Sequence, residues 1–426
     1  MALKVERFAC PGKGNGLRAT HSVQAGEVLY SAEPLACCVS NKCAKDVCHS
    51  CFSRHESLLR CSQCKVARYC NITCQKKAWS DHKRECQSLR SVHPRVPTDS
   101  VRLAARIVFR LLAPSQLSPE LYSLEELDSH LNDMAEEKRE GLSKLSSMLQ
   151  LYLQHNNPDL TQDTPTLHPL SLLAKVACNC FTISDGELQE IGVGLYPSMS
   201  LLNHDCRPNC VMLFQGTTLH LRSVRDIHPT EELTISYIGV LSPTRERRAQ
   251  LLDQYHFICQ CQLCSTTCLD PLMLGGEEEA WTPLKEAIPR LEMLQTNGNW
   301  EELLQVCNSL LAPGGGAVPG GNVYRLRVTD LALDACVNLA QWDSALHYGA
   351  ETLEPYRQYY PAPHPAHAIQ LMRVAKLQHF LGHLKDAEQT LRLAYDIMRI
   401  THGNEHALTS ELIRKLEECR AEMGRD

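Results

Sequence analysis

Eight thiol and imidazole groups crowd into 39 residues as four short pairs: Cys48-x2-Cys51, Cys61-x2-Cys64, Cys70-x3-Cys74 and His82-x3-Cys86. Thiolate and imidazole suit a borderline-soft ion, and pairs this close let one turn offer two ligands at about 2.0 to 2.3 Å from one metal. Eight ligands fill two tetrahedral zinc sites and leave no open position, so the chemistry expected is structural and not catalytic. Cys43, His49 and His55 stand among them as bystanders. Further on, "YHFICQCQLCS" brings Cys259, Cys261 and Cys264, one thiolate short of a closed site. Cys206, in "SLLNHDCRPNC", is the best fourth ligand, with Cys210 its competitor and Cys268 a weaker one. A metal held that way would clamp two distant segments together.

These groups need elements to position them. Residues 1 to 40 read as short strands, "GLRAT" and "EVLYS" flanking "HSVQAG", with the glycines of "PGKGNG" in a tight preceding loop. From Ser100 the apolar spacing turns helical, and a second helix is expected from the Ser-x-x-Glu start at Ser123, carrying His130. The polar stretch "QHNNPDLTQDTPTLHP" breaks that series. Strand character returns at "HLRSV" and "ELTISY", expected to pair as a hairpin that carries the chain from Cys206 back toward Cys259. After Cys264 the pattern is almost wholly helical, and Trp300, Trp342 and Leu384 recur 42 residues apart, with Leu303, Ala345 and Ala387 three positions later. That period implies stacked helix hairpins that bury their faces only against neighbours.

With 426 residues the chain exceeds what one core supports, so several domains are expected. The N-terminus has no apolar targeting region, and no run approaches the roughly 18 apolar residues of a membrane span. A soluble intracellular protein is expected, and its 22 cysteines then read as metal ligands and buried thiols, not disulfides. The net charge of -6 is uneven: Cys48 to Cys86 holds eight basic and three acidic residues, a net of +5, so the remainder carries about -11.

The spacing and content of "CSQCKVARYCNITCQKKAWSDHKREC" resemble a MYND zinc finger. The run N-H-x-C-x-P-N at Asn203 to Asn209, "ELTISY" ending in Tyr237, and C-x-C-x2-C after "YHF" resemble the SET fold of protein-lysine methyltransferases with its post-SET zinc. Together with the repeats they identify the chain as a member of the SET-and-MYND-domain methyltransferases, closest to the third member. The fold class implied is α+β: a SET-type β core split by a MYND finger, with a helical insert, a zinc-bound post-SET segment and an all-α TPR-like C-terminal domain. The domains expected are residues 1–47 for the first part of SET, 48–86 for the finger, and 87–169 for linker and helical insert. Residues 170–240 would be the SET core, 241–270 the post-SET segment and 277–426 the helical repeats.

The resemblance implies an interleaved finger, Cys48, Cys51, Cys70 and Cys74 on one ion and Cys61, Cys64, His82 and Cys86 on the other. With Cys206, Cys259, Cys261 and Cys264 that makes three structural zinc ions. It implies S-adenosylmethionine as methyl donor, approached by the backbone of Gly14-Asn15-Gly16, hydrogen-bonded by Asn203 and His204, and contacted by Tyr122, His130, Tyr237 and Phe257. Tyr237, Tyr255 and Phe181 would form the lysine channel. Gly14 and Gly16 equally suit a plain turn, His130 a solvated helix face, Phe257 and the tyrosines a core. The implied reaction is methylation of lysines on histone tails and other proteins. The implied partners are a proline-rich peptide or DNA at the finger and a chaperone or other protein at the repeats, with no membrane, in cytoplasm and nucleus. Two alternatives remain open: a non-catalytic chromatin or signalling scaffold, and a DNA-binding regulator using the basic finger.

Overall fold

A computed structural model describes residues 3–112, 121–154, 168–312 and 318–424. Most of the polar break expected at 154–169 lies outside them. The N-terminal region opens with β1 (Val5–Cys10), β2 (Gly14–Ala19), β3 (Val28–Ala32) and β4 (Ala36–Val39). The finger follows, with β5 (Leu59–Arg60), β6 (Arg68–Tyr69) and the helix α1 (Ile72–Val92). Then come α2 (Asp99–Leu111), α3 (Glu136–Gln154), α4 (Pro169–Asn179), β7 (Cys180–Ser184), β8 (Glu190–Leu195), the two-residue β9 (Asn203–His204), β10 (Cys210–Gln215), β11 (Thr218–Ser223) and β12 (Glu232–Ile235). The β core is three small sheets, ordered β1-β2-β12-β9, β10-β11-β3 and β4-β8-β7, and the finger adds the pair β5-β6. Period-two alternation builds them: in β11 Leu219 and Leu221 are buried while Thr218, His220 and Arg222 are not. All named pairings are antiparallel except β12 with β9, where Thr234 and Ile235 run alongside Asn203 and His204.

That topology corrects the expected hairpin. β11 pairs with β10 and β3, while β12 pairs with β2 and β9, so the two strands joined by "RDIHPTE" lie in different sheets. The buried Leu233 and Ile235 of β12 find their partners in segments some 200 and 30 residues earlier, which local spacing does not reveal. The expected helix from Ser123 is also corrected, since it begins only at Glu136. Between Tyr122 and Asp133 the backbone is committed elsewhere. The Ser123 N–H goes to Glu126 Oε2 at 3.0 Å, the buried Lys175 ammonium takes the carbonyls of Leu124 and Glu125, and Asp128 Oδ1 accepts from the His130 N–H. His130 sits at φ 49°, in a left-handed turn and not on a helix. Gly14-Asn15-Gly16 is likewise not a loop but the opening of β2, with Gly14 at φ 79°.

The finger is fixed to the core by charge. Glu85 of α1 is fully buried and bonds Arg102 Nε and Arg106 Nη1 of α2, both at 2.9 Å. Burial alone would raise the Glu85 carboxyl, but the two guanidiniums hold it well below the usual carboxylate range. Arg102 continues to the Val39 carbonyl of β4, so finger, α2 and sheet share one network. Removing Glu85 alone would strand two buried cations, the expensive way to break such a pair.

Past β12 the chain is helical: α5 (Thr244–Tyr255), α6 (Gln262–Thr266), α7 (Asp270–Met273), α8 (Glu278–Thr296), α9 (Trp300–Leu311), α10 (Val323–Asn338), α11 (Trp342–Tyr359), α12 (Pro365–Phe380), α13 (Leu384–Thr401) and α14 (Ala407–Met423). The 42-residue repeat is structural. Trp300, Trp342 and Leu384 each open the second helix of a pair, and Leu303, Ala345 and Ala387 are completely buried between helices. Each pair turns the same way, with Gly298, Ala340 and Gly382 at φ 71°, 55° and 80°. The N–H of the next residue reaches back five positions, to Leu294, Cys336 and Gln378. Ala340 is the one non-glycine in that series, and a left-handed alanine costs about 1 kcal/mol. Ala340→Gly should therefore raise stability by about 0.5 to 1 kcal/mol, read as a higher midpoint in thermal unfolding; a lowered midpoint would contradict this.

The helical domain meets the core at both ends. Near its start, Glu246 of α5 binds Lys285 and the Tyr324 hydroxyl, each at 2.6 Å. Near its end, Gly26 lies against the Ile400 backbone, Gly186 against His406 and Leu408, and Arg222 against Gly403. No helix among the described residues is long and apolar enough to cross a membrane.

Candidate functional site

The cysteines and His82 gather into three groups of four: Cys48, Cys51, Cys70 and Cys74; Cys61, Cys64, His82 and Cys86; and Cys206, Cys259, Cys261 and Cys264. Within each, the ligand atoms lie within 4.8 Å of one another. A tetrahedron with bonds of about 2.3 Å has edges of about 3.8 Å. The sulfur separations of 3.9 Å for Cys51 and Cys70, 3.8 Å for Cys61 and Cys86, and 3.6 Å for Cys206 and Cys264 match it, so the residues fit zinc. His82 turns Nε2 toward Cys64 at 3.6 Å and leaves Nδ1 3.9 Å from Glu85, the carboxylate behind a metal-binding imidazole that orients the ring. Cys210 is buried in the apolar core of the β sheets and Cys268 is exposed, both apart from the third group.

The third group explains why Asn203-His204 precedes Cys206. The His204 ring accepts from the Tyr237 N–H at Nδ1, 3.0 Å, which leaves its proton on Nε2, 3.3 Å from Cys206 Sγ. Burial lowers its pKa to about 4, so the ring is neutral near pH 7. Both ring nitrogens are thus engaged within the protein, joining the third cluster to the segment that carries Tyr237.

Around this joint the aromatic candidates converge. The Tyr237 ring lies 4.8 Å from Tyr255, 5.2 Å from His204 and 6.2 Å, edge to face, from Phe257. The Tyr237 hydroxyl donates to the Leu202 carbonyl. Phe181, on the edge strand β7, packs beside the same core and stands edge to face with Tyr196 at 5.8 Å. Helix α5 ends on Tyr255 because His256 adopts φ 61°, a left-handed stop that turns Phe257 inward ahead of Cys259. Burial raises both phenols, Tyr255 to about 12 and Tyr237 further, so their hydroxyls stay protonated across the neutral range.

On the other side of Asn203 lies β2. The Asn203 amide nitrogen donates to the Asn15 carbonyl at 3.2 Å and to Glu232 Oε1 at 2.8 Å. A Cβ on Gly16 would come within 3.1 Å of that nitrogen and 2.8 Å of the Phe8 ring, so only glycine lets the amide this close. Beside Gly14, by contrast, there is open space. Tyr122 adjoins β1 and β2, with the Arg7 guanidinium 4.7 Å over its ring, and His130 stacks on His256 at 5.1 Å. Contacts thus run from Asn15 of β2 to Asn203, and from His204 through Tyr237 to Tyr255 and Phe257, while Phe181, Tyr122 and His130 make their ring contacts with Tyr196, Arg7 and His256. Gly16 is packed against Phe8 and Asn203, so room for a small polar ligand would lie on the open side of Gly14.

Sequence reasoning missed Glu232 and Lys13, which pair at 2.9 Å beside Asn203. "EELTISY" carried a signal, since Glu232 opens the strand that ends next to Tyr237, but an acid at a strand end reads as solvated surface.

The family profile described as SET domain matches residues 14–238. The histone-lysine N-methyltransferase SMYD3 of Homo sapiens is 48% identical, covering 98% of both chains, and that of Mus musculus is 46% identical over 99% of this chain and 98% of its own. The N-lysine methyltransferase SMYD2-A of Xenopus laevis is 34% identical, over 97% of this chain and 98% of its own.

Proposed function

The chain belongs to the SET-and-MYND-domain protein-lysine methyltransferases, and from that premise we propose that methyl transfer takes place where Asn203, Tyr237 and Tyr255 converge. Bound on the open side of Gly14, S-adenosylmethionine supplies an electrophilic methyl group on a sulfonium. Gly14, Asn15, Gly16, Asn203, Tyr122 and His130 hold that donor, with His204 contributing through its main chain because its ring is engaged elsewhere. Tyr237, Tyr255 and Phe181 enclose the lysine. The amine must be neutral to attack, although its ordinary pKa is about 10.4. A channel of buried rings disfavours the ammonium, and the tyrosine hydroxyls, held protonated by burial, align the nitrogen without acting as bases. The proton leaves to water before attack. The observation that carries this reading is the position of Tyr237, whose N–H is held by His204 at 3.0 Å and whose ring lies against both Tyr255 and Phe257.

The substrates are protein lysines. Basic segments such as histone tails suit the net negative charge outside the finger, and the names of the mammalian relatives agree. The helical repeats, joined to the core at α5 and again at the β7–β8 turn, restrict which proteins reach the channel and offer a face to a chaperone or other protein. The basic finger suits a proline-rich peptide or DNA, and a substrate class of histones and other proteins suits a chain working in both nucleus and cytoplasm. Incubation with labelled methyl donor and a cell extract, followed by mass spectrometry, should locate label on lysine Nε; label confined to other residue types would refute the assignment. The rate should climb from pH 7 towards 9, as more of the substrate amine is neutral, and the channel phenols do not titrate in that window. A flat profile would show that proton loss from the amine does not limit the rate.

A further inference from the structure

We infer that Glu232 is a positioning residue that fixes which end of the Asn203 carboxamide faces the methyl donor. The inference rests on the S-adenosylmethionine reading above and adds a residue to it. An asparagine amide can present either two N–H groups or a carbonyl oxygen, and nothing in the amide itself decides between them. Here the partners decide. One terminal atom of Asn203 lies 3.2 Å from the Asn15 carbonyl and 2.8 Å from Glu232 Oε1. A carbonyl and a carboxylate only accept hydrogen bonds, so that atom is the nitrogen, and both its hydrogens are spent inside the protein. Among the described residues Oδ1 has no hydrogen-bond partner, and it is left as a pure acceptor. Its complement is an N–H donor, and S-adenosylmethionine carries one as its α-ammonium.

Glu232 is itself anchored. Its Oε2 accepts from Lys13 Nζ at 2.9 Å and its Oε1 also receives the Cys10 thiol at 3.5 Å, so the carboxylate is tied to both ends of the β1–β2 turn. Its position on β12, paired with Arg18 of β2, puts it beside Asn203 of β9 across the neighbouring strand contact. The tight approach at Gly16 leaves the amide little room to move away. The carboxylate thus contributes twice. It holds the amide oxygen toward the ligand, and it offsets the Lys13 ammonium that would otherwise repel a cationic amine. Without it only the Asn15 carbonyl, at 3.2 Å, holds the amide this way round, so its orientation is less firmly fixed.

Three variants separate these statements, with S-adenosylmethionine and its analogue lacking the α-amino group as calorimetric probes. Wild-type protein must bind S-adenosylmethionine; if it does not, the donor reading itself fails before any variant is considered. Given binding, Glu232→Ala should raise the donor Kd by about tenfold or more, the loss of a charged hydrogen bond and its orientation. It should leave kcat at saturating donor nearly unchanged, with only a small fall in the thermal midpoint of the free protein. Glu232→Gln keeps an acceptor for the Asn203 N–H and should recover most of the affinity. Lys13→Ala should cost less than Glu232→Ala. The deaminated analogue should bind wild type and Glu232→Ala alike. The inference is overturned if Glu232→Ala binds donor normally, if its weakness tracks a lowered thermal midpoint without rescue by glutamine, or if the analogue loses as much affinity as the parent.

Discussion

Cys206→Ala should release one of three zinc ions per chain, abolish most methyl transfer and weaken donor binding, all in one substitution. The reason lies in what the third cluster joins. Cys206 follows the strand that carries Asn203 and His204, and Cys259 follows the turn that carries Tyr255 and Phe257. The His204 imidazole bonds Cys206 on one side and the Tyr237 backbone on the other. A metal with one ligand missing no longer holds these segments in register, so donor pocket and channel loosen together. Cys210→Ala is the control. That thiol is buried in the apolar core of the β sheets and has no part in the cluster, so its loss should cost no more than about 1 kcal/mol and spare both zinc and activity. Elemental analysis and donor titration on the two variants side by side check this. Retained zinc in Cys206→Ala, or metal lost from Cys210→Ala, would reassign the fourth ligand.

Tyr237→Phe should lower turnover by well over about tenfold, some 1.4 kcal/mol or more of barrier, with donor affinity much less affected. The ring stays, so packing against Tyr255 and Phe257 is kept. What goes is the hydroxyl that donates to the Leu202 carbonyl, just ahead of Asn203, and that in the mechanism proposed above orders the amine's approach. Steady-state kinetics at saturating donor, with donor Kd measured separately, distinguishes the outcomes. Unchanged turnover would remove Tyr237 from the chemistry, and an equal fall in donor affinity would make its role one of binding.

The parts of this site legible in the sequence are those whose chemistry is tied to local spacing. Short Cys and His pairs announce metal ligands because one turn must present two of them, and the sequence favours Cys206 over Cys210 as the fourth ligand of the third group. The repeat was legible because Trp300, Trp342 and Leu384 each begin a helix at the same step of a stacked unit. What was not legible depended on partners distant in sequence. β12 carries strand spacing, but only the fold reveals that it lies between β2 and β9 and not against β11. The segment after Ser123 has helical spacing, yet Lys175 and local side-chain bonds claim its backbone until Glu136. Glu232 was invisible for the same reason: its meaning lies in Asn203 and Lys13, 29 and 219 residues away.

Methyl transfer from S-adenosylmethionine to a lysine amine is proposed for the Tyr237 and Tyr255 end of the pocket. Its most direct test uses the intact chain, a trideuteromethyl-labelled donor and a lysine-bearing histone-tail peptide, with the product sequenced by tandem mass spectrometry. The peptide should gain the mass of one or more labelled methyl groups on lysine Nε, and none when Tyr237 and Tyr255 are both replaced by alanine in a protein that still binds donor. Transfer at the wild-type rate by that double variant, or label on a side chain other than lysine, would contradict it.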